Sequence, residues 1–319
     1  MMKQMLTFHD YKPEMISFHD AVIDGLSKKS KSIPSKFFYD ERGSQLFDLI
    51  CEQPEYYPPV IERRLLKKRA LEIAALTSRG RLLIEPGAGS LEKVRLLLDA
   101  LHPIAYVPQD ISFEHLKSAA HALVADYPWL PIHAVRADFA QTLPIPETTP
   151  EAPRLIFFPG SSIGNFNQSE AKTFLHMLRQ TAGVGGMLLI GVDTKKSETV
   201  LNAAYNDKSG ATSAFNLNII SRLRTELGMD CDPINFEHKA FYNAIAGRIE
   251  MHLVSRIKQS LVLNGYRFEL EKGETIHTEN SYKYTPQEFL SLAFKSGFAK
   301  IRHWQDKNKL FTVYLLAAN

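Results

Sequence analysis

Arg81-Leu-Leu-Ile-Glu-Pro-Gly-Ala-Gly-Ser-Leu-Glu-Lys-Val-Arg-Leu-Leu-Leu98 decides the fold. Leu82-Leu83-Ile84, set between Arg81 and Glu85, is the short apolar run of a buried parallel strand. Gly87-Ala88-Gly89 turns the chain, and from Ser90 a helical pattern runs through Leu91, Val94, Arg95 and Leu98, with Glu92 in its first turn to suit the helix dipole. Strand, glycine turn and helix make the first unit of a doubly wound α/β domain, whose ligands lie at the carboxyl ends of the strands. The glycines permit the sharp turn and let a ligand approach the main chain without a Cβ in the way.

A dinucleotide fingerprint G-x-G-x-x-G needs a third glycine where this chain has Glu92, and no phosphate loop G-x-x-x-x-G-K-[ST] is formed. The remaining E-x-G-x-G is followed by a second acid, Asp110, at the end of the apolar strand Ile104-Ala-Tyr-Val-Pro108. That pair suits an adenosyl ligand without a pyrophosphate, with Asp110 accepting from ribose hydroxyls. Taken alone, Gly87 and Gly89 serve an ordinary βα turn equally well. Asp110, placed about twenty residues on, favours the ligand.

Outward from this unit the α/β rhythm continues. Residues 132–135 form a third strand, closed by Asp138-Phe139, where Asp138 can accept from an adenine amino group and Phe139 can pack on the ring. Residues 154–158 form a fourth strand running into Pro159-Gly-Ser-Ser-Ile-Gly-Asn165. A helix over 169–180 and a fifth strand over 186–193 follow, so the sheet is parallel. After Asp193 come helices over 199–205 and 212–227. Period-two alternation then appears in 248–255, 259–263, 266–270 and 275–281, the mark of half-exposed antiparallel strands. An α+β lobe is therefore expected as an insertion over 196–283. A helix over 285–295 with Pro286 in its first turn resumes the rhythm. Segments 299–304 and 310–317 then flank a turn, giving a terminal hairpin. An antiparallel strand added to a parallel sheet resembles the class I S-adenosylmethionine-dependent methyltransferase fold and argues against a nicotinamide oxidoreductase.

Upstream, residues 1–80 are expected to form a helical cap on a core of 81–195 and 284–319. Its Ser27–Lys36 stretch is a solvated basic loop, and its long helix runs over 62–76. Phe37-Phe-Tyr-Asp-Glu-Arg-Gly-Ser-Gln-Leu-Phe47 and the rigid corner Pro54-Glu-Tyr-Tyr-Pro-Pro59 concentrate aromatic rings. Tyr39, Phe47 and Tyr56 either pack the cap or line a pocket, where ring faces attract an ammonium group by about 0.5–2 kcal/mol each.

A formal net charge of +3 in 319 residues is too mild to argue for nucleic acid or an anionic membrane. No histidine spacing such as H-E-x-x-H suggests a metal, and Cys51 and Cys231 read as reduced thiols. The first ten residues lack a signal-peptide core, and no apolar run approaches a membrane span. A monomeric cytoplasmic protein is expected.

Five segments together resemble the histidine Nα-methyltransferases of ergothioneine biosynthesis: 37–47, Gln53-Pro-Glu-Tyr-Tyr-Pro58, Glu85-Pro-Gly-Ala-Gly-Ser-Leu-Glu-Lys93, Gly160-Ser-Ser-Ile-Gly-Asn165 and Arg248-Ile-Glu-Met251. A sixth, Thr278-Glu-Asn-Ser281, closes the inserted lobe. The resemblance implies S-adenosylmethionine contacts at Gly87, Lys93, Asp110, Asp138 and Phe139. It implies that Asn165 and Tyr205 hold the main-chain groups of an L-histidine substrate, with Tyr56 as a further contact, and that Glu279 and Ser281 read the imidazole with Met251 packed against it. Phe47, Tyr39 and Tyr56 would offer their rings to the methylated ammonium, and Tyr39, Tyr56 and Asn165 are the catalytic candidates. Relatives acting on another amino acid, an indole derivative or a thiol-histidine form the alternative. A non-catalytic adenosyl-binding module is a further one. By spacing alone, Glu279 and Ser281 read as solvent-facing strand residues, Tyr205 can be a core residue and Asn165 a turn residue, and the resemblance is what assigns them to a site.

Overall fold

Residues 5–11 and 17–319 are described in the computed structural model. β1 (Leu6–Asp10) is followed by α1 (Phe18–Ser27), which starts where the Ser17 hydroxyl accepts from the Asp20 N–H at 3.0 Å. α2 (Glu41–Glu52) starts at Asp40, whose carboxylate accepts from the Gly43 N–H at 2.7 Å. After the proline corner α3 (Pro58–Thr77) begins at Pro58 itself, a residue well suited to a first turn. Alternation then follows: β2 (Leu82–Pro86), α4 (Arg95–Leu101), β3 (Ala105–Asp110), α5 (Phe113–Asp126), β4 (Ile132–Arg136), β5 (Arg154–Phe158), α6 (Gln168–Ala182) and β6 (Met187–Asp193).

Between Lys196 and Lys283 lie α7 (Glu198–Ala204), α8 (Ala211–Leu227), β7 (Phe236–Asn243), β8 (Arg248–Ser255), β9 (Gln259–Leu263), β10 (Tyr266–Leu270) and β11 (Thr275–Tyr282). β8 is the middle strand of an antiparallel β11-β8-β7 sheet, and β9 with β10 forms a separate hairpin. The chain ends in α9 (Pro286–Lys295), β12 (Phe298–Gln305) and β13 (Phe311–Ala318). α9 opens with a full capping box between Thr285 and Glu288 and with Pro286 at its start.

The main sheet has the order β1-β4-β3-β2-β5-β6-β13-β12. Its pairs are parallel except β13 with β6 and β12 with β13. Strand order reverses between β2 and β5, so their carboxyl-end loops flank the switch point where ligands of open α/β sheets bind. The expected doubly wound sheet and terminal hairpin are both present.

Two compact units result. One holds β1, Pro58–Lys195 and Tyr284–Asn319; the other holds α1, α2 and the chain to Tyr57, with Lys196–Lys283. The N-terminal cap over 1–80 is therefore corrected in three respects. β1 is a strand that pairs with β4 from Leu6 against Ile132 to Asp10 against Arg136. α3 belongs with the main sheet, where Leu65, Leu66 and Ile73 share a core with Leu83 and Leu189. The segment carrying Phe37, Phe38 and Leu46 shares its core with Phe215, Leu201 and Met251 of the inserted part instead. Apolar burial against a partner distant in sequence decides each case. Residues 1–4 and 12–16, which the cap was expected to include, lie outside the described residues.

Two local expectations also change. Ser90 does not start a helix: Gly87, Gly89 and Leu91 all have positive φ (65°, 55° and 59°), so the turn runs on and α4 starts only at Arg95. In the loop expected to be solvated, Ser32 bridges to His277, and the Lys31 ammonium lies 2.6 Å from the Glu274 carboxylate.

Candidate active site

The loops after β2 and β5 belong to the main-sheet unit. A Cβ at Gly87 would stand 2.9 Å from Phe139 Cε1, so glycine is what lets the Phe139 ring close on this turn. A Cβ at Gly89 would meet nothing within 4 Å, which leaves its main chain open to a ligand. Asp110, at the end of β3, accepts from the Gly89 N–H at 2.9 Å and the Ser112 N–H at 2.8 Å. The carboxylate retains acceptor capacity for a hydroxyl donor. Burial raises the Asp110 pKa, while those two backbone donors hold it down. Asp138 is buried and accepts from Ala140 N–H at 3.1 Å and Gln141 Nε2 at 2.9 Å. These residues fit an adenosyl group: an exposed glycine main chain, a carboxylate beside it and an aromatic ring over the turn.

Sequence reading missed the residue that joins the two loops. Glu62 of α3 is 1% exposed; its carboxylate lies 2.8 Å from Lys93 Nζ and accepts the Gly160 N–H at 2.9 and 3.0 Å. Lys93, expected to touch the cofactor, is thus held by a buried acid. The signal was available: Glu62 stands on the same helical face as Leu65 and Leu66, and glutamate is rarely buried unless paired. Below the turn, Glu85 is also buried, and the Tyr106 hydroxyl donates to it. Burial pushes the Glu85 pKa up to about 8, against the opposing pull of that hydroxyl and of Lys93. Asn165 ends a short 3-10 turn, Ser162–Asn165, after β5, and belongs to this unit.

The other candidates belong to the second unit, where most of them come together. Tyr39 and Phe47 meet edge to face at 5.7 Å, Phe47 and Tyr56 at 6.4 Å, and Tyr56 and Tyr205 at 5.9 Å. Phe215 of α8, not anticipated, packs on both Tyr39 and Phe47. Burial first, then the neighbouring Tyr205, Cys51, Glu279 and Tyr39, raise the Tyr56 pKa well above that of an ordinary phenol. Tyr56 is therefore a neutral phenol at physiological pH.

Register explains how Glu279 and Ser281 come to share a face. His277 is opposite His252, and Glu279 is opposite Met251, so Thr278 is an extra residue in β11. Neighbouring residues on β8 point to opposite faces, so this bulge moves Glu279 and Ser281 to the Met251 side. Thr278 is held there by Asn216 Oδ1 at 2.8 Å and the Met251 carbonyl at 3.1 Å. Burial pushes the Glu279 pKa up to about 7, with Lys283 opposing.

Ser281 is buried, and its Oγ accepts from the Tyr205 hydroxyl at 2.8 Å and from Lys283 Nζ at 2.8 Å. Lys283 also donates to the Tyr205 oxygen at 3.0 Å. With both lone pairs of Ser281 engaged, its own O–H is left to donate. Tyr205, expected at the substrate's main-chain groups, directs its hydroxyl to Ser281. Lys283 was not foreseen, because a lysine two residues beyond Ser281 carries no signal until the strand is buried.

Sheet order and cradle together define an S-adenosylmethionine-dependent methyltransferase of class I. The chain belongs to the histidine-specific, SAM-dependent methyltransferases: the model of that family matches residues 18–318. It is 38% identical over 289 residues to the histidine N-alpha-methyltransferase of Mycolicibacterium smegmatis, covering 88% of this chain and 89% of that one. It is 28% identical to a 4-dimethylallyltryptophan N-methyltransferase of Epichloe festucae var. lolii, covering 95% and 94% of the two chains. Among solved structures, the PH0226 protein of Pyrococcus horikoshii shares the fold with a TM-score of 0.50 at 13% identity, over 88% of this chain and all of that one. Among the described residues, no helix is long and apolar enough to cross a membrane.

Proposed function

We propose that the protein methylates the α-amine of L-histidine with S-adenosylmethionine, up to three times, to give the betaine hercynine of the ergothioneine pathway. One observation carries the choice of histidine: Glu279 and Ser281 share a face with opposite hydrogen-bonding roles. In its ionised form the Glu279 carboxylate accepts, while the engaged Ser281 donates, which matches the N–H and the bare nitrogen of a neutral imidazole. A site with such partners rejects amino acids lacking them, because its own polar groups would be left unpaired. Met251, directly opposite Glu279, supplies apolar surface to the ring.

Bound S-adenosylmethionine supplies an electrophilic methyl group on a sulfonium. Gly87, Gly89, Asp110, Asp138 and Phe139 are assigned to hold it, and Glu62 with Lys93 to fix the loops that do so. Asn165 is assigned to the main-chain groups of histidine. Displacement at a methyl needs a neutral amine in line with the leaving sulfur, so alignment supplies most of the rate. Tyr39, Phe47 and Tyr56 are assigned to the ammonium that forms, whose charge their rings stabilise. Since Tyr56 is already protonated, its role is to orient the amine, and the proton leaves to solvent.

Incubating the purified protein with S-adenosylmethionine and histidine should give products heavier by one, two and three methyl groups. A parallel panel of tryptophan derivatives and thiol-histidine should react poorly. Absence of any mass gain with histidine overturns the proposal, and preference for an indole substrate reassigns the Glu279 face.

A further inference from the structure

β8 lies between two strands, so its alternate residues serve two surfaces. Met251 and Ile249 share one with Glu279 and Ser281. Glu250 and His252 point to the other, together with His277 of β11 and Phe241 of β7. Among the described residues, Glu250, His252 and His277 are the group whose donor atoms, one from each, all lie within 4.8 Å of one another. Glu250 Oε2 and His252 Nε2 are in hydrogen-bond contact at 3.1 Å. That is close to the edge of a tetrahedron with metal–ligand bonds of about 2.0–2.1 Å, which is ~3.3–3.4 Å.

Phe241 stacks on the His252 ring at 5.6 Å and 12°, and the His277 ring lies 4.9 Å from it. His252 Nδ1, His277 Nε2 and the Oδ1 of Asn280, which is opposite Glu250, are buried with no hydrogen-bond partner. Buried polar atoms are normally satisfied, and of these three His277 Nε2 is the one that serves as a ligand atom, His252 Nδ1 being the ring nitrogen turned away from Glu250. The geometry points to a divalent transition-metal site of the zinc type formed by Glu250, His252 and His277.

The supporting contacts are those of a ligand carboxylate. Arg248 Nη2 at 2.8 Å and Asn243 Nδ2 at 3.0 Å hold Glu250 Oε1, which fixes Oε2 toward the histidines. Two imidazoles and a carboxylate oxygen are donors that a borderline cation such as Zn²⁺ accepts, leaving a fourth position for water. Arg248, and Lys239 opposite His252 on β7, are the positive groups at this surface. They oppose a cation and weaken its binding, and the expected role is structural. The ion ties β8 to β11 just before the bulge at Thr278. It thereby fixes the register in which Glu279 and Ser281 are presented. Sequence spacing hides the site, since Glu250-Met-His252 and His277 are brought together only by strand pairing.

The full-length protein, freed of metal by chelation and gel filtration, should bind one Zn²⁺ per chain by calorimetry, and Co²⁺ should give the visible absorption of a tetrahedral ion. His277→Gln and His252→Gln should each weaken Zn²⁺ binding more than about tenfold, and His176→Gln, on an exposed face of α6, should not. Zinc should raise the thermal midpoint of the wild type and not of the two variants. Absence of stoichiometric binding in the wild type, or undiminished binding in both variants, overturns the assignment. If neither variant folds, the Co²⁺ spectrum of the wild type decides: a featureless spectrum overturns it. None of these readouts depends on methyl transfer.

Discussion

Lys93 and Glu62 form an ion pair at 2.8 Å across the switch point of the sheet, and the same carboxylate accepts the Gly160 N–H. One buried acid thus fixes the loop after β2 and the loop after β5, on which the cofactor cradle depends. Glu62→Ala leaves the half-buried Gly160 N–H without its acceptor and the Lys93 ammonium without this carboxylate. The lysine side chain is 24% exposed, so water screens part of the loss, and a destabilisation of about 2–3 kcal/mol is expected. Glu62→Gln, which keeps an acceptor for Gly160, should fold more stably than the alanine variant. Both should raise the KM for S-adenosylmethionine, and urea melts with initial rates measure the two effects. An unchanged KM in a folded Glu62→Ala protein removes the residue from cofactor positioning.

The second prediction concerns how the imidazole is read. Glu279→Ala removes a charged acceptor, a loss of about 1.5–3 kcal/mol, or roughly ten- to 150-fold in histidine affinity. Ser281→Ala removes the donor and also takes one hydrogen-bond partner from the Tyr205 hydroxyl and one from Lys283. It should weaken histidine binding by about tenfold and lower stability as well. Tyr205→Phe, which removes one of the two groups that orient Ser281 and leaves Lys283 as the other, should act in the same direction but less. Calorimetry with histidine in the presence of S-adenosylhomocysteine separates the three. Equal, unaltered affinity in all of them would clear this face of any part in recognition.

What could be read from the chain beforehand was what is local. Gly87, Gly89 and Asp110 lie within one contiguous βαβ unit, and their meaning depends only on that stretch of chain. The terminal hairpin was legible because both its strands and its turn are contiguous. β7 was missed because Phe236-Glu-His-Lys-Ala-Phe-Tyr-Asn243 does not alternate cleanly, and its pairing with β8 rests on packing against α8. Glu62 acquires its role only when Gly160, far along the chain, closes on it. The bulge at Thr278 was equally hidden: a strict period of two puts His277 with Glu279 on one face, whereas the structure parts them.

A third prediction follows from the neutral phenol of Tyr56. A base with so high a pKa has almost no phenolate to offer near neutrality, so the ionisation that limits the reaction should be that of the substrate amine. kcat/KM for histidine should rise with pH to a plateau, and Tyr56→Phe should lower its height while leaving the ascending limb in place. A limb that vanishes or shifts by more than about one unit in the variant would make Tyr56 the proton acceptor after all.

The last prediction concerns Glu85, whose carboxyl is buried beneath the glycine turn and receives the Tyr106 hydroxyl. Its pKa, ordinarily 4.5, is pushed up to about 8 in the folded chain by burial. Between those two values the native state keeps a proton that the unfolded state has released. The free energy of unfolding must then fall as pH rises, by about 1.4 kcal/mol per pH unit from this group alone. Below about pH 4.5 both states hold the proton and the contribution is flat; above about 8 both have lost it and the penalty is complete. Glu85→Gln presents a neutral side chain of the same shape at every pH, with a carbonyl that still accepts from Tyr106. Urea denaturation at pH 5, 6, 7 and 8 should therefore show a steeper decline in wild type than in the variant. The variant should gain relative stability toward pH 8. Parallel pH profiles for the two proteins would mean that Glu85 is already ionised in the folded state, with the charge compensated by Tyr106 and Lys93.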